Sequence, residues 1–194
     1  MTAPKGQDSE VKGIWFVSMR AWLDQHVSED QRRELSACLS PPFRAAFAEP
    51  LVSEWYPEAM LEEALLATYE VVAVRDRARF LSIMEACTEI GVNRFFRLLL
   101  RLSTLSFVTK LVPTMWKQIR RGRGDVKVAI EGDRARLEYS DFPRFVDPLY
   151  ELMTIGSLRA LVRISTGREP VVEVVARNPE GLVVAIGTRG SLRP

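Results

Sequence analysis

The chain has 194 residues, 47% hydrophobic and 27% charged, with a formal net charge of +2. A chain of this length buries roughly 70% of its extended-state surface, so one domain can fold without a disulfide or a metal. Near-neutrality excludes polyanion binding by bulk charge.

The N-terminal "MTAPKGQDSE" has no apolar h-region. It reads as a polar, disordered tail over residues 1–11 rather than a secretion signal, ahead of a single domain over 12–190. From Gly13 to His26, the residues Trp15, Met19, Trp22 and Leu23 recur at i, i+4, i+7 and i+8, marking one face of a helix. Ser28 with Gln31 three residues on is a capping-box pattern for a short second helix ending near Cys38. The prolines of "SPPFRAAFAEP" predict a loop or broken turn. In "EWYPEAMLEEALLATYEVVA", Pro57 suits a first helical turn, with Met60, Leu61, Ala64, Leu65 and Thr68 as the inner stripe.

A further helix is expected from about Arg75 to Ile90, stopped by Gly91. "VNRFFRLLLRL" and "STLSFVTKLVPTMWKQIRRG" are helical by composition, with a kink or break at Pro113. After Gly122 the pattern changes to strand alternation. Val126, Val128 and Ile130, then Ala135, Leu137 and Tyr139, flank "EGD" as a hairpin. Residues 145–165 return to helix, and "PVVEVVARNPEGLVVAIG" reads as a second hairpin turning at Asn178-Pro179 and Gly181. The order predicts an α+β fold: an N-terminal helical bundle followed by a four-stranded antiparallel sheet, two hairpins joined by a helix.

Charge is uneven along the chain. Residues 24–70 hold ten Asp/Glu against three Arg, and residues 75–123 hold eleven Lys/Arg against three acids. Either the two blocks face each other or the second is a basic face for an anionic partner. The cluster Lys117, Arg120, Arg121 and Arg123 is the candidate anion-binding site. The macrodipole of a helix C-terminus accounts for the same cations without a ligand, at roughly 0.3–1 kcal/mol each. The acids that follow, Asp125, Glu131 and Asp133, argue against nucleic acid.

No catalytic constellation stands out. His26 beside Asp24 reads as a polar helix end, and metal sites use several donors together. Cys38 and Cys87 lack metal-ligand spacing and read as small buried residues of a reducing compartment. Glu62-Glu63 and Glu85/Glu89 read as solvated helix faces, the latter near Arg79 or Arg94. No glycine-rich phosphate loop occurs. The most apolar stretch, Phe95 to Val112, is interrupted by Arg97, Arg101 and Lys110, which excludes a comfortable bilayer span and predicts a cytoplasmic protein. The surplus of large apolar groups in the later helices makes Phe95, Phe96, Leu99, Leu105, Met115 and Trp116 candidates for an apolar ligand pocket between helices and sheet. Trp15, Phe16, Met19 and Trp22 are the corresponding candidates for a dimer interface.

Taken together, "VKGIWFVSMRAWLDQHV", "WYPEAMLEEALLATYEV", "LVPTMWKQIRRGRGDVKV" and the helix between two hairpins resemble a superfamily. It comprises haem nitric-oxide-binding domains, 4-vinyl-reductase-like domains and transport-protein-particle subunits. The nearest resemblance is to uncharacterised paralogous families of myxobacteria, over about residues 12–187. In the haem-binding members a proximal histidine lies one or two turns before the proline matching Pro113. This chain has Leu105 and its neighbours there, with no histidine nearby. The Tyr-x-Ser-x-Arg haem-propionate motif falls on Glu138-x-Ser140-x-Phe142, where two of three positions differ. The cysteines of a 4-vinyl-reductase-like metal site are absent too. The resemblance thus implies the fold with no haem and no other cofactor. It implies a noncatalytic regulatory or scaffold module, homodimeric or bound to a protein partner, with a small apolar ligand in a helix–sheet pocket. The alternatives are an enzyme of unknown reaction or a basic-face binder of nucleic acid or anionic lipid.

Overall fold

The computed structural model describes residues 9–92, 100, 104–132 and 134–189. Five helices come first: α1 (Ile14–His26), α2 (Glu29–Cys38), α3 (Pro41–Ala48), α4 (Glu58–Ala67) and α5 (Arg77–Gly91). After the undescribed stretch, α6 (Leu105–Ile119) leads to the hairpin β4 (Asp125–Glu131) and β5 (Arg134–Ser140). Helix α7 (Pro148–Thr166) then connects to the hairpin β6 (Pro170–Asn178) and β7 (Gly181–Thr188). The expected α+β architecture is present, its four-stranded antiparallel sheet ordered β4-β5-β7-β6.

Alternation along the central strands puts Ala135, Leu137, Tyr139, Leu182, Val184 and Ile186 on the buried face. Helix α6 packs on β4 and β5, and α7 packs on β6. The second hairpin closes at Asn178↔Gly181, where Asn178 Oδ1 accepts from Glu180 N at 3.0 Å, a side-chain mimic of a turn. The capping box also forms: Ser28 Oγ accepts from Gln31 N at 3.3 Å.

Three expectations need correction. "SPPFRAAFAEP" is not a broken loop, because α3 begins at Pro41 and both prolines sit in the first turn, where their missing N–H groups have no intrahelical acceptor. Helix α6 is not broken at Pro113, and Val108, Val112 and Trp116, one turn apart each, are all buried on either side of it. The tail is ordered before residue 12: β1 (Glu10–Lys12) lies between β2 (Trp55–Pro57) and β3 (Arg120–Arg121) in a small unforeseen sheet, with Val11 fully buried. Helix α5 does end at Gly91, as expected, though without a left-handed residue there. A Cβ at Gly91 would stand 2.8 Å from Ser18 Oγ on α1.

Candidate functional site

Where α1, α5, α6 and α7 converge, packing leaves an apolar cavity of about 190 Å³ that is partly open to solvent. Ser18, Cys87, Thr88 and Gly91 meet Ile14, Trp15, Met115, Ile119 and Leu161, with Val92 and Gln118 completing the wall. A second cavity of about 60 Å³ lies toward the sheet, bounded by Trp116, Arg120, Tyr139 and Met153 among others. Trp15, Met115, Ile119 and Leu161 line both spaces and form their common wall.

Most polar groups here are already satisfied. Ser18 Oγ donates to Ile14 O at 2.7 Å, Thr88 Oγ1 to Met84 O at 2.9 Å, and Trp116 Nε1 to Gly124 O at 3.3 Å. Trp15 differs: it is 9% exposed, and its buried indole Nε1 has no acceptor. A buried donor left unpaired costs about 1–3 kcal/mol. Burial pushes the Cys87 thiol up to about 12, and burial likewise raises the Tyr139 phenol, so both are neutral groups.

A buried ion pair closes the inner end. Arg120, on β3, donates from Nε to Glu58 Oε1 at 3.3 Å, and the two side chains are 3% and 0% exposed. The guanidinium lies 4.5 Å from the Trp116 ring and 5.3 Å from Phe142, inside a box of edge-on aromatics. Its Nη2 is 3.2 Å from the same carboxylate oxygen but lacks hydrogen-bond geometry, and both Nη2 and Glu58 Oε2 are buried without a hydrogen-bonding partner.

The residues singled out in the sequence divide unevenly over this site. Met115 lines both cavities and Trp116 the smaller one. Leu105 is half-buried and packs against the core, away from both walls. Phe95, Phe96 and Leu99 lie outside the described residues. Of the interface candidates, Trp15 turns into the cavity wall, Met19 is buried, and Phe16 is locked in an aromatic cluster with Phe43 and Tyr56 at 5.2 and 5.0 Å. Only Trp22 keeps partial exposure, stacked on His26 at 4.9 Å. A face whose apolar groups are spent on its own core cannot offer them to a partner.

The proposed anion cluster is dispersed and compensated. Helix α6 ends at Ile119, so Arg120 and Arg121 belong to a strand and only Lys117 stands in the last helical turn. Lys117 is 3.6 Å from Asp125, Arg120 pairs with Glu58, Arg121 with Glu10, and Arg123 with Asp141 and Glu180. The carboxylates cancel the field that would draw an anion. Glu85 is not a solvated helix-face residue either, since Arg159 and Arg163 of α7 reach it at 2.6 Å each. Sequence reasoning passed over Gly91, Ser18, Leu161 and the Glu58–Arg120 pair.

No sequence-family model matches this chain, and no curated protein matches it in sequence. Solved structures do match. The chain is similar to an H-NOX protein from S. oneidensis, solved in an Fe(II)NO ligation state, at 10% identity and a TM-score of 0.66, covering 91% of this chain and 98% of that one. A Cs H-NOX mutant matches at 13% identity and a TM-score of 0.65, over 94% of this chain and 99% of that one. A mutant of T. Tengcongensis H-NOX matches at 13% and 0.63, over 94% and 100%. The chain therefore has an H-NOX-like fold.

That fold raises the question of haem, and neither cavity wall offers it a histidine. Haem iron takes an axial His, a Cys thiolate, a Met paired with His, or a Tyr. The single histidine, His26, lies at the exposed end of α1, outside the cavity walls. The undescribed residues 93–99 and 101–103 contain no His, Cys, Met or Tyr. The larger cavity, about 190 Å³, also falls below the roughly 300–1,000 Å³ of common ligand pockets. Among the described residues no group of three or more His, Cys, Asp or Glu could hold a metal ion, and no helix is long and apolar enough to cross a membrane.

Proposed function

We propose that this chain is a noncatalytic regulatory or scaffold module whose state is set by a small apolar ligand in the cavity between α1, α5, α6 and α7. The observation that carries this reading is the apolar cavity of about 190 Å³ where the four helices converge. The space suits a compact molecule: a 150 Å³ apolar cavity is known to take benzene. The reading is noncatalytic because the wall of the larger cavity offers no paired acid and base. Ser18 and Thr88 bond back to their own helices and Cys87 is a neutral thiol. The H-NOX-like fold supports a sensing role, with a ligand other than haem. Assembly as a homodimer belongs to the same reading, through a face other than the one formed by Phe16 and Met19.

Native mass spectrometry of the purified protein, followed by extraction of any retained molecule, tests this. The expected result is a dimer carrying a small organic molecule that is released on denaturation. A strict monomer with no retained or exchangeable small molecule contradicts the reading.

A further inference from the structure

The two cavities, of about 190 and 60 Å³, are neighbours, and Trp15, Met115, Ile119 and Leu161 stand between them. Alone, the larger holds little more than a single ring, since a 150 Å³ apolar cavity is filled by benzene. What the pair can hold depends on whether the shared wall is fixed.

The four side chains differ in how freely they can leave that wall. Trp15 is a large ring at 9% exposure, and Leu161 is buried in a cluster with Leu100 and Val108, so displacing either opens packed core. Ile119 is β-branched and held to one preferred rotamer by its helix. Met115 is only half-buried, unbranched, and turns about three bonds, so its thioether can swing toward the surface without moving the backbone of α6. Beyond it the smaller cavity is lined largely by apolar groups, Val112, Trp116, Met153 and Leu158 among them. We infer that Met115 is a movable partition and that the site takes a molecule of two parts. A compact apolar body occupies the larger cavity, and a slender, unbranched hydrocarbon tail passes Met115 into the smaller one. This rests on the proposed ligand-binding role and gives that role a ligand shape and an orientation. A branched molecule of the same composition is too wide to pass.

Three probes separate the possibilities: benzene, n-butylbenzene, and its compact isomer tert-butylbenzene. Affinities are read by calorimetry, and position by the methyl resonances of the six methionines in a ¹H–¹³C spectrum. Met153 lines the smaller cavity and not the larger, so its methyl, assigned by its loss in Met153→Leu, reports the tail. A buried methylene is worth about fourfold in affinity, so n-butylbenzene should bind about tenfold more tightly than tert-butylbenzene. It alone of the three should shift the Met153 methyl. Met115→Ile, which stiffens the partition, should bring n-butylbenzene down to its isomer and leave benzene's affinity unchanged. Met115→Ala, which removes the partition, should let tert-butylbenzene reach Met153 as well. Isomers of equal affinity in the unaltered protein, or n-butylbenzene bound at saturation without a Met153 shift, overturn the inference while leaving the larger cavity as a binding site. If benzene and both isomers fail to bind, the ligand-binding role itself falls, and this inference with it. Should either Met115 variant fail to fold, the isomer preference and the Met153 shift in the unaltered protein decide alone.

Discussion

Replacing Arg120 by Met should be among the most damaging single changes in the molecule. Its guanidinium and the Glu58 carboxylate are 3% and 0% exposed and 3.3 Å apart at the closest hydrogen-bonding atoms. Arg120→Met leaves the Glu58 carboxylate buried without a counter-charge, which costs about 3–5 kcal/mol. For a domain of this size each kcal/mol lowers Tm by about 2–4 °C, so a loss of about 6–20 °C is expected. The double variant Glu58→Met/Arg120→Met removes the stranded charge and should recover most of that loss, because buried ion pairs exchange for apolar packing at little net cost. Urea unfolding of the four proteins in the cycle reads both quantities. A single substitution costing less than about 1 kcal/mol, or a double variant costing the sum of the two singles, would refute the buried, mutually compensated pair.

Other outcomes follow from the same packing. Leu161→Ala, which removes part of the wall common to both cavities, should destabilise by about 2–5 kcal/mol in denaturant unfolding. Cys87→Met puts a longer side chain into the larger cavity and should weaken retention of a small apolar molecule there, read by native mass spectrometry, at a stability cost of no more than about 1–3 kcal/mol. A thiol-reactive disulfide reagent should label exposed Cys38 at once, while Cys87, buried with its thiol pushed up to about 12, should react only as the fold opens. Equal labelling rates would contradict the burial of Cys87. A hydrogen bond from Arg121 holds the Glu10 carboxyl below its ordinary 4.5, so it contributes stability above that pH that is lost as pH falls through the lowered value. Glu10→Gln should therefore flatten the acid limb of the stability curve below pH 4.5, measured by urea midpoints.

Sequence pattern carried the elements whose causes are local. The Ser28/Gln31 cap, the α4 stripe ending in fully buried Thr68, and the strand alternation of both hairpins all depend on residues a few positions apart. Where the outcome depended on distant partners, the reading failed. Pro113 breaks an isolated helix, but Val112 and Trp116 pack into the core and this one stays continuous. Phe16 and Met19 look the same in sequence whether they meet another molecule or the chain's own core, here Phe43 and Thr68. Glu58 and Arg120 are 62 positions apart, and neither has a neighbour that announces a buried pair. Met115 and Trp116 stood out as large apolar groups at helical spacing, and both line cavity walls. The small lining residues Ser18, Cys87 and Gly91 were invisible because small residues in helices signal packing and emptiness alike.

The central claim is that the space between α1, α5, α6 and α7 is a ligand site rather than closed core. Crystals of the protein pressurised with xenon test it most directly, since apolar cavities of this size take up the gas. The account predicts an anomalous xenon peak bounded by Trp15, Cys87, Met115 and Leu161, or displacement there of a retained organic molecule. Side chains packed across that space, with neither xenon nor a molecule between them, would contradict it.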